Sequence, residues 1–230
     1  MNNKKTITAQ EFDRLNNMFD YFKDNFVQKR ITYTYIDAEN KMQNCSIVMQ
    51  KPHFYHLTGL SYSGKALNFY NSLENKTLGI SELSHNSKGY SKLKLGASHY
   101  LEGLKSENVN ICEKKEFVHL KFDKSIRDDN ISLALKKVNT NFIPISFTNL
   151  KRDKKKAAAI QPVYPVIKIE EYDFVTKEKK ILFDKNIKSG NHDYERKIDN
   201  LLQEIFKDST IEHQNNLGRQ SKSKDFELGD

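Results

Sequence analysis

No run of about 18 consecutive apolar residues occurs in this chain, which removes a membrane-spanning helix from the reading. The opening stretch, MNNKKTITAQEFDRL, also lacks the apolar centre of a secretory signal. A cytoplasmic protein with no membrane partner is therefore expected. Cysteine is scarce: Cys45 and Cys112 each stand alone in a strand-like segment, with no C-x-x-C pair. That pattern excludes a disulfide framework and gives no basis for a structural zinc site, so both are expected as reduced thiols in or near a core. There is no internal repeat and no linker rich in proline or glycine. At 230 residues the chain has room for one substantial core or two small ones, and one domain is the expectation.

What the chain has in excess is positive charge. Lys and Arg number 38 against 30 Asp and Glu, a net charge of +8. With a membrane set aside, the polyanion this favours is nucleic acid, although charge alone carries no sequence specificity.

Between about Ala9 and Lys29, Phe12, Leu15, Met18, Phe19, Phe22 and Phe26 recur at steps of three and four, which predicts a helix with an aromatic stripe packed on the domain. ITYTYID and NCSIVMQ, on either side of the turn-like AENKMQ, predict a hairpin. KALNFYNSLENK and YSKLKLGASHYLEGLK carry helical spacing around the polar SELSHNSKG. The second half changes period: NVNICEK, EFVHLKFD, ISLALKKV, FIPISFTNL, PVIKIEEYDFV and KKILFD are short, roughly alternating runs, and predict an antiparallel sheet of about four to six strands. YERKIDNLLQEIFKD reads as a closing amphipathic helix, and HQNNLGRQSKSKDFELGD as a polar flexible tail. Helices placed before a block of strands argue for an α+β fold, with residues 1–30 as an amino-terminal helix, 31–207 as the main domain with its closing helix, and 208–230 as the tail.

Residues 51–70, KPHFYHLTGLSYSGKALNFY, contain two incompatible chemistries. From Gly59 the spacing G-x-x-x-x-G-K approaches a phosphate-binding loop, but the residue after Lys65 is Ala66 where a magnesium-holding Ser or Thr belongs. KPHFYHLT also makes a poor buried strand. His53 and His56 would share one face of a helical turn, a spacing two metal ligands could use, yet no third or fourth ligand stands out. Imidazole can instead move a proton near neutral pH without any metal. Tyr55, Tyr62, Phe69 and Tyr70 are nearby aromatics, read mainly as core and otherwise as surface for stacking bases.

HFYHLTGL, followed by GKALNFYNSLENKTLGI and later by ISLALKKVNTNFIPISFTNLKRDKKKAAAIQPVYPVIKI, resembles the phage-associated nuclease-like domains of the Barnase/EndoU/colicin/RelE (BECR) class over about residues 30–185. The resemblance implies amino-terminal helices packed on a curved antiparallel sheet, with an RNA-cleaving or related site on the sheet face. It also implies His56 as the candidate catalytic histidine and Ser146 as the polar residue on the central strand. Thr148, two residues on, points to the same face as Ser146. Lys136, Lys137 and Lys151 flank these strands, and KRDKKK, with Lys151, Arg152, Lys154, Lys155 and Lys156, reads as a basic loop where phosphates could be held.

Metal-independent RNA cleavage needs a base for the 2′-hydroxyl proton, an acid for the leaving 5′-oxygen and donors for the charge that grows on phosphate. His56, Ser146, Thr148 and a neighbouring lysine could divide those tasks, with no cofactor and no metal called for. The expected partner is RNA, tRNA or mRNA, with a protein inhibitor or host protein as a second partner. The alternative function is a non-catalytic protein on the same scaffold that binds nucleic acid or inhibits a host enzyme.

Overall fold

Thr8 starts the first helix. Its hydroxyl accepts the Glu11 N–H at 3.2 Å while the Glu11 carboxylate accepts the Thr8 N–H at 2.9 Å, a reciprocal cap that satisfies two otherwise unpaired donors. From there α1 (Ala9–Phe26) buries the expected stripe, Leu15, Met18, Phe19, Phe22 and Phe26. It stops short of Lys29 because Val27 is extended and Gln28 turns left-handed at φ 61°. The computed structural model describes residues 5–86, 90–113, 116–117, 120–152 and 162–185, all within the unit Met1–Lys185; Asn186–Asp230 form a second unit. The closing helix and polar tail expected from the sequence lie outside the described residues.

The predicted hairpin is β1 (Lys29–Ile36) and β2 (Met42–Val48), paired antiparallel with Tyr33 opposite Cys45. The Asp37 carboxylate holds its turn by accepting the Glu39 and Lys41 N–H groups at 2.9 and 3.0 Å. Next come α2 (His53–Thr58), β3 (Leu60–Ser61), α3 (Ala66–Glu74), β4 (Ser84–His85), α4 (Tyr90–Leu95) and a 3₁₀ segment, Ser98–Lys105. The remaining strands are β5 (Asn110–Cys112), β6 (Glu116–Phe117), β7 (Leu120–Lys121), β8 (Lys124–Arg127), β9 (Ile131–Val138), β10 (Asn141–Asn149), β11 (Val163–Asp173) and β12 (Lys179–Asp184). β3 pairs with β4 and β6 with β7, each as a separate small ribbon.

Everything else joins one sheet, in the order β1-β2-β10-β9-β8-β5-β11-β12, and β11 returns to pair with β1 from Lys29 opposite Asp173 to Tyr35 opposite Val166. The α+β class therefore holds, but the curved antiparallel sheet is corrected: the sheet is mixed and closes on itself as a barrel of β1, β2, β10, β9, β8, β5 and β11. β2 meets β10 in parallel, with Phe142 opposite Ile47. Alternation in the sequence marks a strand but not its partner, and closure uses edge backbone groups that an open sheet would leave bare. Glu171 sits at the closing seam, 3.3 Å from the Lys29 ammonium and 2.6 Å from that of Lys105.

One face of the barrel sheet carries the core: Ile31, Tyr33, Tyr35, Cys45, Ile47, Ile111, Ile126, Leu133 and Leu135, together with Phe22 and Phe54 from the helices. Phe19, Phe22, Phe54, Phe69 and Tyr70 pack ring against ring there at 4.9–6.1 Å. Strand β10 changes sides part-way along. Phe142 and Pro144 face the core, with Pro144 opposite Leu135, and then a bulge intervenes before Ser146 meets Ala134. After the bulge it is Phe147, opposite Leu133, that points inward, so Ser146 and Thr148 face the reverse side. Proline supplies no N–H to the ladder, and the break falls beside it.

Candidate functional site

The stretch 51–70 folds as a helix, a two-residue strand and a second helix. No buried parallel strand precedes Gly59, and Lys65 stands at the amino cap of α3 with no side-chain cap bond. A phosphate-binding loop is not what this segment builds. His53 is half-buried and its Nδ1 accepts the Gln50 N–H at 3.0 Å. Burial, and then the charge of His56, lower its pKa, so the ring stays neutral and serves the chain turn.

His56 stands exposed in the last turn of α2, with its ring 5.5 Å from that of Tyr55. Its carbonyl accepts a hydrogen bond of 3.2 Å from the ammonium of Lys94 on α4. Burial lowers the Lys94 pKa to about 8, within reach of proton exchange near neutrality. Gly59 makes this approach possible. It ends α2 at φ 65°, and a Cβ there would lie 3.0 Å from Lys94 Cδ. The sequence reading missed Lys94, although Ser91, Leu95 and Ser98 are buried at helical spacing and place Lys94 beside that face.

Ser146 and Thr148 lie side by side on the reverse face of β10, half-buried, and neither hydroxyl makes a hydrogen bond among the described residues. Thr148 faces Ser132, which faces Arg127; Ser146 faces Ala134, which faces Ser125. A patch of short side chains with one guanidinium thus spans three strands, and the Ser125 hydroxyl within it is buried without a partner among the described residues. Lys136 shares this face and is bonded to Asp123 at 3.1 Å, whereas Lys137, the next residue, falls on the other side of β9.

At the end of β10, Asn149 turns back to the helices. Its amide donates to the Leu93 carbonyl at 3.3 Å, and its side-chain oxygen accepts the Arg152 N–H at 3.2 Å. Lys151 donates to the Tyr100 hydroxyl at 3.0 Å and lies 5.4 Å from that ring's centre. Lys154, Lys155 and Lys156 lie outside the described residues. Helix α4 therefore ties His56, through Lys94, to the basic end of β10, through Leu93. Helix α2 packs on β10 and buries Phe54 and Leu57 in the core, so His56 and the two hydroxyls approach β10 from different faces. No hydrogen bond among the described residues links the His56 ring to Ser146, Thr148 or Lys151. Of the nominated aromatics, Phe69 and Tyr70 are fully buried in the core, while Tyr55 and Tyr62 are partly exposed against Phe69.

A family model described as phage-Barnase-EndoU-ColicinE5/D-RelE like nuclease 4, PBECR4, matches residues 14–188. The chain belongs to this family. The match runs from within α1 past β12, so it takes in the helical layer, the closed sheet and every described element of the site. PBECR4 membership bears out the resemblance carried by HLTGL and IPISF and makes this a phage-associated BECR-type nuclease at the level of the family. No curated protein and no solved structure matches the chain.

Proposed function

We propose that this PBECR4 protein is a metal-independent ribonuclease that cleaves RNA, tRNA or mRNA, by general acid-base transesterification. Besides the family, the observation that carries this reading is the exposed His56, whose backbone carbonyl takes the ammonium of the desolvated Lys94, next to the α4 residue Leu93 that binds the basic end of β10. His56 moves the proton between the 2′-hydroxyl and the leaving 5′-oxygen, and the Lys94 ammonium, close to its own titration point, stabilises charge on the phosphate or exchanges a proton itself. Lys151 and Arg152 hold the adjoining backbone, and Ser146, Thr148 and Lys136 offer donors to a strand that crosses β10.

The test is incubation of the full chain with total tRNA and a structured RNA in the presence of EDTA. Fragments ending in 2′,3′-cyclic phosphate are expected, and His56→Ala is expected to slow their appearance by about 10² to 10⁴-fold. Equal cleavage by the variant would remove His56 from the chemistry. Intact RNA with retained, salt-sensitive binding would make the chain a binding protein or an inhibitor of a host enzyme.

A further inference from the structure

Away from His56, a cleft of about 380 Å³ opens between α1 and the 3₁₀ segment, lined by Arg14, Asn17, Tyr21, Ser98, His99 and Glu102, with Met18 beneath. Its volume falls in the range of small-molecule sites, about 300 to 1,000 Å³. Arg14, Asn17, His99 and Glu102 are exposed. None of them, nor the Tyr21 hydroxyl, makes a side-chain hydrogen bond or ion pair among the described residues, although other charged groups nearby do, such as Lys105 with Glu171 and His85 with Glu11. Burial, then the charges of Glu102 and Glu171, push the Tyr21 phenol up to about 12, so it remains a donor. The cleft is thus lined by a guanidinium, an amide, a phenol, an imidazole and a carboxylate, with no hydrogen bond or ion pair to any of these groups among the described residues.

These groups match the parts of one nucleotide. A guanidinium takes a phosphate through paired N–H bonds. An imidazole and a phenol ring offer faces to a base, and an amide with a carboxylate reads the donors and acceptors on a base edge. The cleft also adjoins the proposed RNA path: the His99 ring lies 3.8 Å from that of Tyr100, whose hydroxyl receives Lys151 at the end of β10.

We propose that this cleft is a binding subsite for one unstacked nucleotide of a single-stranded RNA, with its phosphate on Arg14, its base against His99 and Tyr21, and its edge read by Asn17 and Glu102. The proposal rests on the ribonuclease reading and assigns that activity its means of selecting a strand. A duplex cannot enter, because its bases remain stacked and paired.

The test is equilibrium binding of the full chain to a short 2′-fluoro-substituted single-stranded oligonucleotide, which lacks the attacking hydroxyl. Arg14→Ala, His99→Ala and Glu102→Gln alter exposed side chains, and their melting curves serve as folding controls. His99→Ala is expected to weaken binding by about 5- to 150-fold, the range for loss of one stacked base. Arg14→Ala should lower the salt dependence by about one phosphate contact. A duplex of the same sequence should compete poorly. Wild-type affinity in all three folded variants would overturn the subsite even if RNA is cleaved. Weakened binding in the variants without any RNA cleavage would keep the subsite and remove the ribonuclease reading.

Discussion

Lys94 is one residue whose burial makes the stability of this protein depend on pH. In the unfolded chain it keeps its proton up to an ordinary lysine value near 10.5, whereas in the fold burial brings release down to about 8. Below that window both states hold the proton and the cost of a buried charge is fully present. As pH rises through the window the unfolded state binds more protons, so the Lys94 contribution to stability rises. Lys94→Met is expected to show a flatter dependence of its urea midpoint on pH between about 8 and 10.5, and wild-type and variant midpoints moving in parallel would count against this. Little of this environment could be read from the sequence. His56 stood out through its HLTGL context, but Lys94 sits in an unremarked YSKLKLG, its shift comes from burial, and the carbonyl it reaches lies 38 residues away in the chain.

At the scale of elements, patterning named the pieces well where contacts are local. The stripe from Leu15 to Phe26 and the β1–β2 hairpin were legible, because each reports burial of one side of one segment, whereas β9 was legible as a strand although its first five residues are buried on both faces. EFVHLKFD was read as a single strand and forms the short pair β6 and β7. The face assignments of β10 were legible only in part. Ser146 and Thr148 share a side as their spacing requires, but which side depends on the bulge after Pro144. Deleting Ile145, the residue between the paired Pro144 and Ser146, is expected to remove the bulge and restore strict alternation with both pairs kept, so that Phe147 stays inward and the two hydroxyls stay on the reverse face. The cost should stay below that of losing a buried phenylalanine, about 3 to 5 kcal/mol, measured by chemical denaturation. A loss of that size would show that Phe147 had been displaced and that something other than the bulge sets the face.

For the molecule as a whole, the decisive contact is the return of β11 to β1, which no local pattern announces. Its polar latch is Glu171 between Lys29 and Lys105, with all three side chains 11–19% exposed. Burial pushes the Glu171 carboxyl up, but the hydrogen bond and charge of Lys105, with those of Lys29, outweigh it and leave the pKa lowered. A lowered carboxyl stabilises the fold above its unfolded value and loses that contribution as pH falls through the folded one. Glu171→Ala is expected to lose about 3 kcal/mol at neutral pH and to show a smaller further loss on acidification to about pH 4. Equal acid sensitivity in both proteins would assign the effect to other carboxylates.

The same return of β11 also sets the order of events during synthesis. At roughly 5 to 20 residues per second, β1 leaves the ribosome on the order of ten seconds before the strand that will cover its edge. Through that interval the hairpin can form and α1 can dock, but the seam stands open to any other extended chain. The nascent protein is therefore most exposed to misassembly after its helices are made and before Asp173 can reach Lys29.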